Sequence, residues 1–149
     1  MKTIVLFILI ALVGAGTCAQ GTCNGSEVER IESIKAGTES LMPNAKYVTK
    51  DSDIGYTITA YYDSAGTLLK LNAESNLSEN EQFYFENSVL CCYEISGYRK
   101  GDMFFESYYF SEGKLFCAKD LLNGIVMKIS RKAGEKIISE AEKYLEEIQ

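Results

Sequence analysis

Between residues 45 and 129 apolar and polar positions mostly alternate with a period of two, and on either side they follow a helical period. On the N-terminal side, Val28, Ile31 and Ile34 recur at helical spacing among Glu27, Glu29, Arg30 and Glu32. Ser26 with Glu29 three places on has the form of a capping box, and Pro43 is a stop. A helix is therefore expected from Ser26, fading near Ala36-Gly37 or running unevenly to Leu41. Ala45 to Lys50 reads as a first strand, followed by a turn over 51–55. Tyr56 to Tyr62 (YTITAYY) is a strand by its β-branched and aromatic content. The turn Asp63-Ser64-Ala65-Gly66 leads to a returning strand over Thr67 to Ala73, and Asn76 to Asn80 is a polar loop. Ile125 to Ile129 follows Asn123-Gly124, a dipeptide suited to a two-residue hairpin turn. From Ser130 onward, Ala133, Ile137, Ala141, Tyr144, Leu145 and Ile148 form one helical stripe, and Lys and Glu cover the rest.

The middle of the alternating region contains a repeat. At an offset of 25, Glu81, Phe83, Tyr84, Phe85, Leu90 and Cys92 correspond to Glu106, Tyr108, Tyr109, Phe110, Leu115 and Cys117. Two-residue turns at Asn87-Ser88 and Glu112-Gly113 would set Phe85 opposite Leu90 and Phe83 opposite Cys92. In the second copy they would set Phe110 opposite Leu115, Tyr108 opposite Cys117 and Glu106 opposite Lys119 as an ion pair. Strict alternation then places Phe83, Phe85, Leu90, Cys92, Tyr108, Phe110, Leu115 and Cys117 on an apolar core face. The other face carries Gln82, Tyr84, Cys91, Tyr93, Ser107, Tyr109, Phe116 and Ala118. The simplest packing puts both helices on the Phe83/Phe110 side and leaves the tyrosine side open.

The fold class that follows is α+β: an antiparallel meander of about six or seven strands flanked by an N-terminal and a C-terminal helix. The hairpin YYFSEGKLFCAKD, the following Asn-Gly turn and the terminal Lys/Glu helix resemble a set of uncharacterised small secreted bacterial proteins with repeated YYF-x-x-GKL hairpins. The likeness spans Tyr47 to Leu145, and the sequence departs from it at Ser88, where a turn Gly is expected, and at Cys91-Cys92. It implies a helix-flanked antiparallel sheet and an extracytoplasmic location, and it transfers no catalytic residue.

Composition narrows the picture further. The 149 residues suit one domain, and a hydrophobic content of 46% supports a packed core. Met1 to Ala19 has the form of a secretory signal: Lys2, the apolar run Ile4 to Val13, and Thr17 and Ala19 at the cleavage positions. The expected organisation is a signal peptide over 1–19 and one domain over 20–149, with a secreted or periplasmic location. Lipidation at Cys18 is the rival reading, opposed by Ala15 and Thr17, which do not match the residues such a site prefers before its Cys. The run at Ile4 is too short to span a bilayer, and no second one follows.

Four cysteines remain after cleavage. An even count in a secreted chain suggests disulfides. Cys92 and Cys117 would be two strands apart, about 10 Å, which exceeds the reach of a bridge. Adjacent Cys91 and Cys92 would point to opposite faces. The best bridge joins Cys23 to one of Cys91, Cys92 or Cys117, and a small apolar core role is favoured for Cys92 and Cys117. No C-x-x-C spacing supports zinc. Asp51, Asp53 and Gly55 imitate the start of a calcium loop, but Asp63 falls one place beyond the closing position.

Chemistry is constrained by the absence of His, which removes the commonest general base and the imidazole partner of a nucleophilic Ser or Cys. A net charge of −6 argues against nucleic acid as a partner. The expectation is a non-catalytic binding protein with no cofactor and no metal. It would contact another protein through a tyrosine-rich surface of Tyr84, Tyr93, Tyr109 and Phe116. A carrier with a small ligand between helices and sheet is the alternative, and a carboxylate-dependent hydrolase is the weakest reading.

Overall fold

The computed structural model describes residues 23–53 and 55–149. The signal segment over 1–19 and Cys18 lie outside them. The chain is α+β: helix α1 (Gly25–Leu41), a 3-10 turn over Met42–Asn44, eight strands and helix α2 (Arg131–Ile148). The strands are β1 (Lys46–Asp51), β2 (Tyr56–Tyr62), β3 (Leu68–Ser75), β4 (Asn80–Glu86), β5 (Val89–Arg99), β6 (Asp102–Ser111), β7 (Lys114–Asp120) and β8 (Ile125–Val126). They form one antiparallel sheet in chain order, β1 to β8.

Local chemistry explains most boundaries. Asn24, not Ser26, is the N-cap of α1, and the Ser26 hydroxyl donates to the Asn24 side chain at 2.8 Å. The helix continues through Gly37 to Leu41, and Pro43 sits in the 3-10 turn that ends it. Ser130 caps α2 as expected, with its Oγ accepting from the Ala133 N–H. The Asn123-Gly124 turn is longer than the dipeptide suggests. Asp120 pairs with Ile125, so the loop is Leu121–Gly124, and the Asp120 carboxylate accepts from the Leu122 and Asn123 N–H groups.

The two helices lie on opposite faces of the sheet, which corrects the expectation that both cover the Phe83/Phe110 side. Helix α2 lies there, burying Ile137, Ala141 and Tyr144 against Ile58, Leu71, Phe83, Phe85, Tyr93 and Phe110. Its approach at Gly134 is close: a Cβ there would stand 2.8 Å from the Leu115 Cβ. Helix α1 lies on the other side, where Val28 and Ile31 pack with Tyr84, Cys91, Cys92, Tyr109 and Cys117.

Two β-bulges redistribute the faces. In the β4–β5 hairpin Asn87 and Ser88 both have positive φ, giving a tight two-residue turn, and Phe85 faces Leu90 as counted. The register then shifts, so Cys92 faces Tyr84 and Cys91 is the extra residue. The β6–β7 hairpin repeats this at the same offset: Phe110 faces Leu115, Cys117 faces Tyr109, and Phe116 is extra. Cys92 and Cys117 therefore belong to the α1 side, and Tyr93 moves to the α2 side beside Phe83, with ring centres 4.7 Å apart. The expected Glu106–Lys119 pair does not form. Glu106 faces Asp120, and its carboxylate takes the Tyr108 hydroxyl and Arg99 instead.

Candidate functional site

The α1 side of the sheet is held by a polar layer spaced by helix and strand geometry together. Glu32 accepts the Tyr109 hydroxyl at 2.7 Å, and Glu39 accepts the Tyr84 hydroxyl at 2.8 Å. Seven helical residues rise about 10.5 Å, close to the two strand spacings, about 9.6 Å, that separate β6 from β4. Between them Lys35 reaches the intervening strand β5, where its ammonium binds Glu94, and the Ser107 hydroxyl donates to the same carboxylate at 2.8 Å. Helix α1 thus ties β6, β5 and β4 together through Glu32, Lys35 and Glu39. The Lys70 ammonium binds Glu39 and stands 4.8 Å from the centre of the Tyr84 ring, within cation–π range.

These contacts overturn the open tyrosine surface. Tyr84, Tyr93 and Tyr109 are all buried, at 3%, 5% and 2% exposure, and Phe116 is half-buried. The four residues are not brought together: Tyr93 lies on the opposite face from Tyr84 and Tyr109, and Phe116 occupies a bulge near Cys23. The Tyr84 and Tyr109 hydroxyls are taken by Glu39 and Glu32 of α1, and the Tyr93 hydroxyl by Glu81 of β4. Lys35, Glu39, Lys70 and Glu94 carry this layer, and sequence reasoning missed them. Their signal was Glu32, Lys35 and Glu39 recurring on one helix face, which reads equally well as a solvated stripe.

The cysteines resolve into two kinds. Cys23 and Cys117 are disulfide-bonded, with Cα atoms 4.9 Å apart, which selects one of the three expected bridges and removes Cys117 from the free core residues. Cys91 and Cys92 are free and buried. Burial pushes the Cys91 thiol up to about 11 and holds the Cys92 thiol well above its ordinary value, so both are neutral at physiological pH and poor nucleophiles.

On the α2 side Glu81 is buried at 3% exposure and accepts the Tyr93 hydroxyl at 2.8 Å and the Tyr144 hydroxyl at 3.0 Å. Burial raises its pKa, and the nearby Glu140 and Glu79 carboxylates push the same way against the two phenols. A carboxyl whose folded pKa lies above its unfolded value contributes stability that is complete below the unfolded pKa and is lost as pH rises through the folded one. Glu81→Gln is therefore expected to raise the melting temperature by a few degrees at neutral pH, with the gain shrinking as the pH falls toward 4.5, the ordinary carboxyl value. Thermal scans of both proteins across that range check it. A constant difference would mean that Glu81 does not titrate there.

The exposed apolar residues concentrate elsewhere. The β5–β6 turn and the β7–β8 turn lie at the same end of the meander, and the Leu121 N–H donates to the Phe105 carbonyl between them. Tyr98 and Met103 face each other across the β5–β6 hairpin at 62% and 58% exposure. Leu121, Leu122, Ile125 and Val126 add to the same end, all exposed. Strand alternation puts Tyr98, Met103, Phe105 and Val126 on the α1 side of the sheet. Helix α1 does not reach them, because its contacts fall on the half nearer the β4–β5 and β6–β7 turns, where Glu27 and Arg30 bind Ser111 and Glu86.

Comparison with protein-family models, with curated proteins and with solved structures returned no match. Among the described residues, no helix is long and apolar enough to cross a membrane.

Proposed function

We propose that the protein is a non-catalytic extracytoplasmic binding protein whose partner is another protein, and that its contact surface is the exposed apolar end of the sheet. The carrying observation is the exposure of Tyr98, Met103 and Val126 on the α1 side of the sheet beyond the cover of α1, with Leu121 and Leu122 exposed in the neighbouring turn and Ile125 exposed on the other face of the same end. Scattered apolar residues on a surface need no explanation, but a cluster rimmed by charge is characteristic of interaction sites. Here Lys100 and Asp102, at the β5–β6 turn, form the charged rim, while Arg99 lies on the opposite face, 4.4 Å from the Phe104 ring centre. The Cys23–Cys117 bridge is compatible with an oxidising compartment. Tyr144, Ile137 and Phe83 fill the space between α2 and the sheet, which favours surface contact over an enclosed ligand.

The experiment is capture of a partner from native extract by the wild-type protein and by the Tyr98→Ser, Met103→Ser double variant. Both side chains are exposed, so the double variant should melt within a degree or two of wild type. Truncating two central apolar contacts should weaken capture at least tenfold, given about 1–2 kcal/mol for each such residue. Undiminished capture by a folded double variant would remove this surface from consideration.

A further inference from the structure

We propose that strand β1 is a self-association edge that joins two copies of the chain into one continuous antiparallel sheet about a two-fold axis at Thr49. β1 is the first strand of the sheet and among the described residues pairs only with β2, and every residue of Lys46–Asp51 is exposed. Tyr47 and Val48 are 68% and 47% exposed. The other edge, β8, is only two residues long, the short form that resists pairing.

The backbone polarity of β1 can be counted. The Ser52 N–H donates to the Tyr56 carbonyl, so even-numbered residues of this strand turn their N–H and C=O toward β2. The corresponding groups of Tyr47, Thr49 and Asp51 face outward, and among the described residues no strand lies beside them. A six-residue strand with such a free row is a template for a second strand.

Side chains then select the register. The Thr49 hydroxyl meets Thr59, and Tyr47 packs near Tyr61 with ring centres 6.2 Å apart, both on the α1 side. Lys50 reaches over the other side to the Glu147 carbonyl at the end of α2. A two-fold axis normal to the sheet preserves these faces, so only registers that oppose odd with odd and even with even are allowed. Two of them pair nearly the whole strand. One, centred on Val48, sets Lys46 opposite Lys50 of the second copy twice over, and like charges directly opposite are destabilising. The other, centred on Thr49, sets Val48 opposite Lys50 and Tyr47 opposite Asp51, with no like-charge pair. In it the outward groups of Tyr47, Thr49 and Asp51 all bond across the axis. The lysines lie above the sheet plane, so they choose the register and leave the backbone edge open. The α2 ends, tied to β1 through Lys50, are brought alongside each other.

Sedimentation of the full chain over the micromolar to near-millimolar range should show a reversible monomer–dimer equilibrium. Thr49→Pro removes the outward N–H at the axis and spares the bonds to β2, so it should weaken dimerisation more than tenfold. Because a proline can perturb the strand, a second pair of variants tests the geometry directly. Thr49→Cys places two thiols opposite each other across the axis within bridging distance, whereas Val48→Cys places each thiol opposite Lys50. Mild oxidation of wild type, Thr49→Cys and Val48→Cys should give a covalent dimer with Thr49→Cys well ahead of the other two. A protein that remains monomeric throughout, or cross-linking of Val48→Cys equal to or greater than that of Thr49→Cys, overturns the proposal. The Tyr98 and Met103 surface lies away from β1, so loss of dimerisation and loss of partner capture are read independently.

Discussion

Cys23→Ser should lower the stability of the fold by about 4–5 kcal/mol and the melting temperature by about 10–20 °C. The bridge closes 94 residues, from the start of α1 to the seventh strand, so its loss releases nearly the whole sheet in the unfolded chain. The effect is large also because of what the bridge supports. Cys117 packs with Val28 and Ile31, and it stands beside Tyr109, whose hydroxyl is held by Glu32 of the same helix. Without the bridge, the first turn of α1 keeps the packing of Val28 and the part-buried Glu27–Ser111 bond, while the exposed Arg30–Glu86 pair contributes little in water. Equilibrium unfolding in urea with and without a reductant measures the effect. Reductant should destabilise wild type to the level of Cys23→Ser and leave the variant unchanged. Equal stability of the oxidised and reduced wild type would show that the bridge carries no such load. Cys91 and Cys92 should resist alkylation until the protein unfolds, since both are buried with raised thiol pKa values.

The second large effect is expected at Lys35. Its side chain and that of Glu94 are 12% and 9% exposed, and Ser107 completes the pair. Lys35→Met keeps the length of the side chain and removes the charge, leaving Glu94 buried with one hydroxyl donor. Breaking one side of such a pair costs about 3–5 kcal/mol, far more than the pair contributes over an apolar replacement. Lys35→Met combined with Glu94→Leu should therefore recover most of the loss, and the coupling between the two sites should appear in a double-mutant cycle by urea unfolding. If Lys35→Met alone costs less than 1 kcal/mol, about the value of a surface pair, the layer is solvated and the packing of α1 rests on Val28, Ile31 and the disulfide.

Both effects arise at an interface that the amino-acid sequence conceals. The boundaries of β2 and the N-cap of α2 were legible, because YTITAYY, Ser130 and the Ala133 to Ile148 stripe act on neighbours a few residues away. The two-residue turns at Asn87-Ser88 and Glu112-Gly113 were legible for the same reason, and so was the pairing of Phe85 with Leu90 and of Phe110 with Leu115 next to them, whereas the turn at Asn123-Gly124 proved to be a four-residue loop. The bulges were not. Cys91 and Phe116 are apolar and fit either side of a sheet, so nothing in the alternation marks one residue as extra. Yet that extra residue inverts the face of everything beyond it, carrying Cys92 and Cys117 to α1 and Tyr93 to α2.

The sequence by itself thus determined the elements, their order and the antiparallel meander, since period and turn chemistry are local and each short stretch carries its own. Only the tertiary structure decided which face each helix covers. An apolar stripe such as that of α2 can choose its face by hydrophobic burial. Helix α1 has few apolar residues and is placed by Glu32, Lys35 and Glu39 finding Tyr109, Glu94 and Tyr84 across more than 40 residues of chain. Those bonds are satisfied only when the seven-residue rise of the helix meets two strand spacings of the sheet, a match of lengths that exists in space and not along the chain.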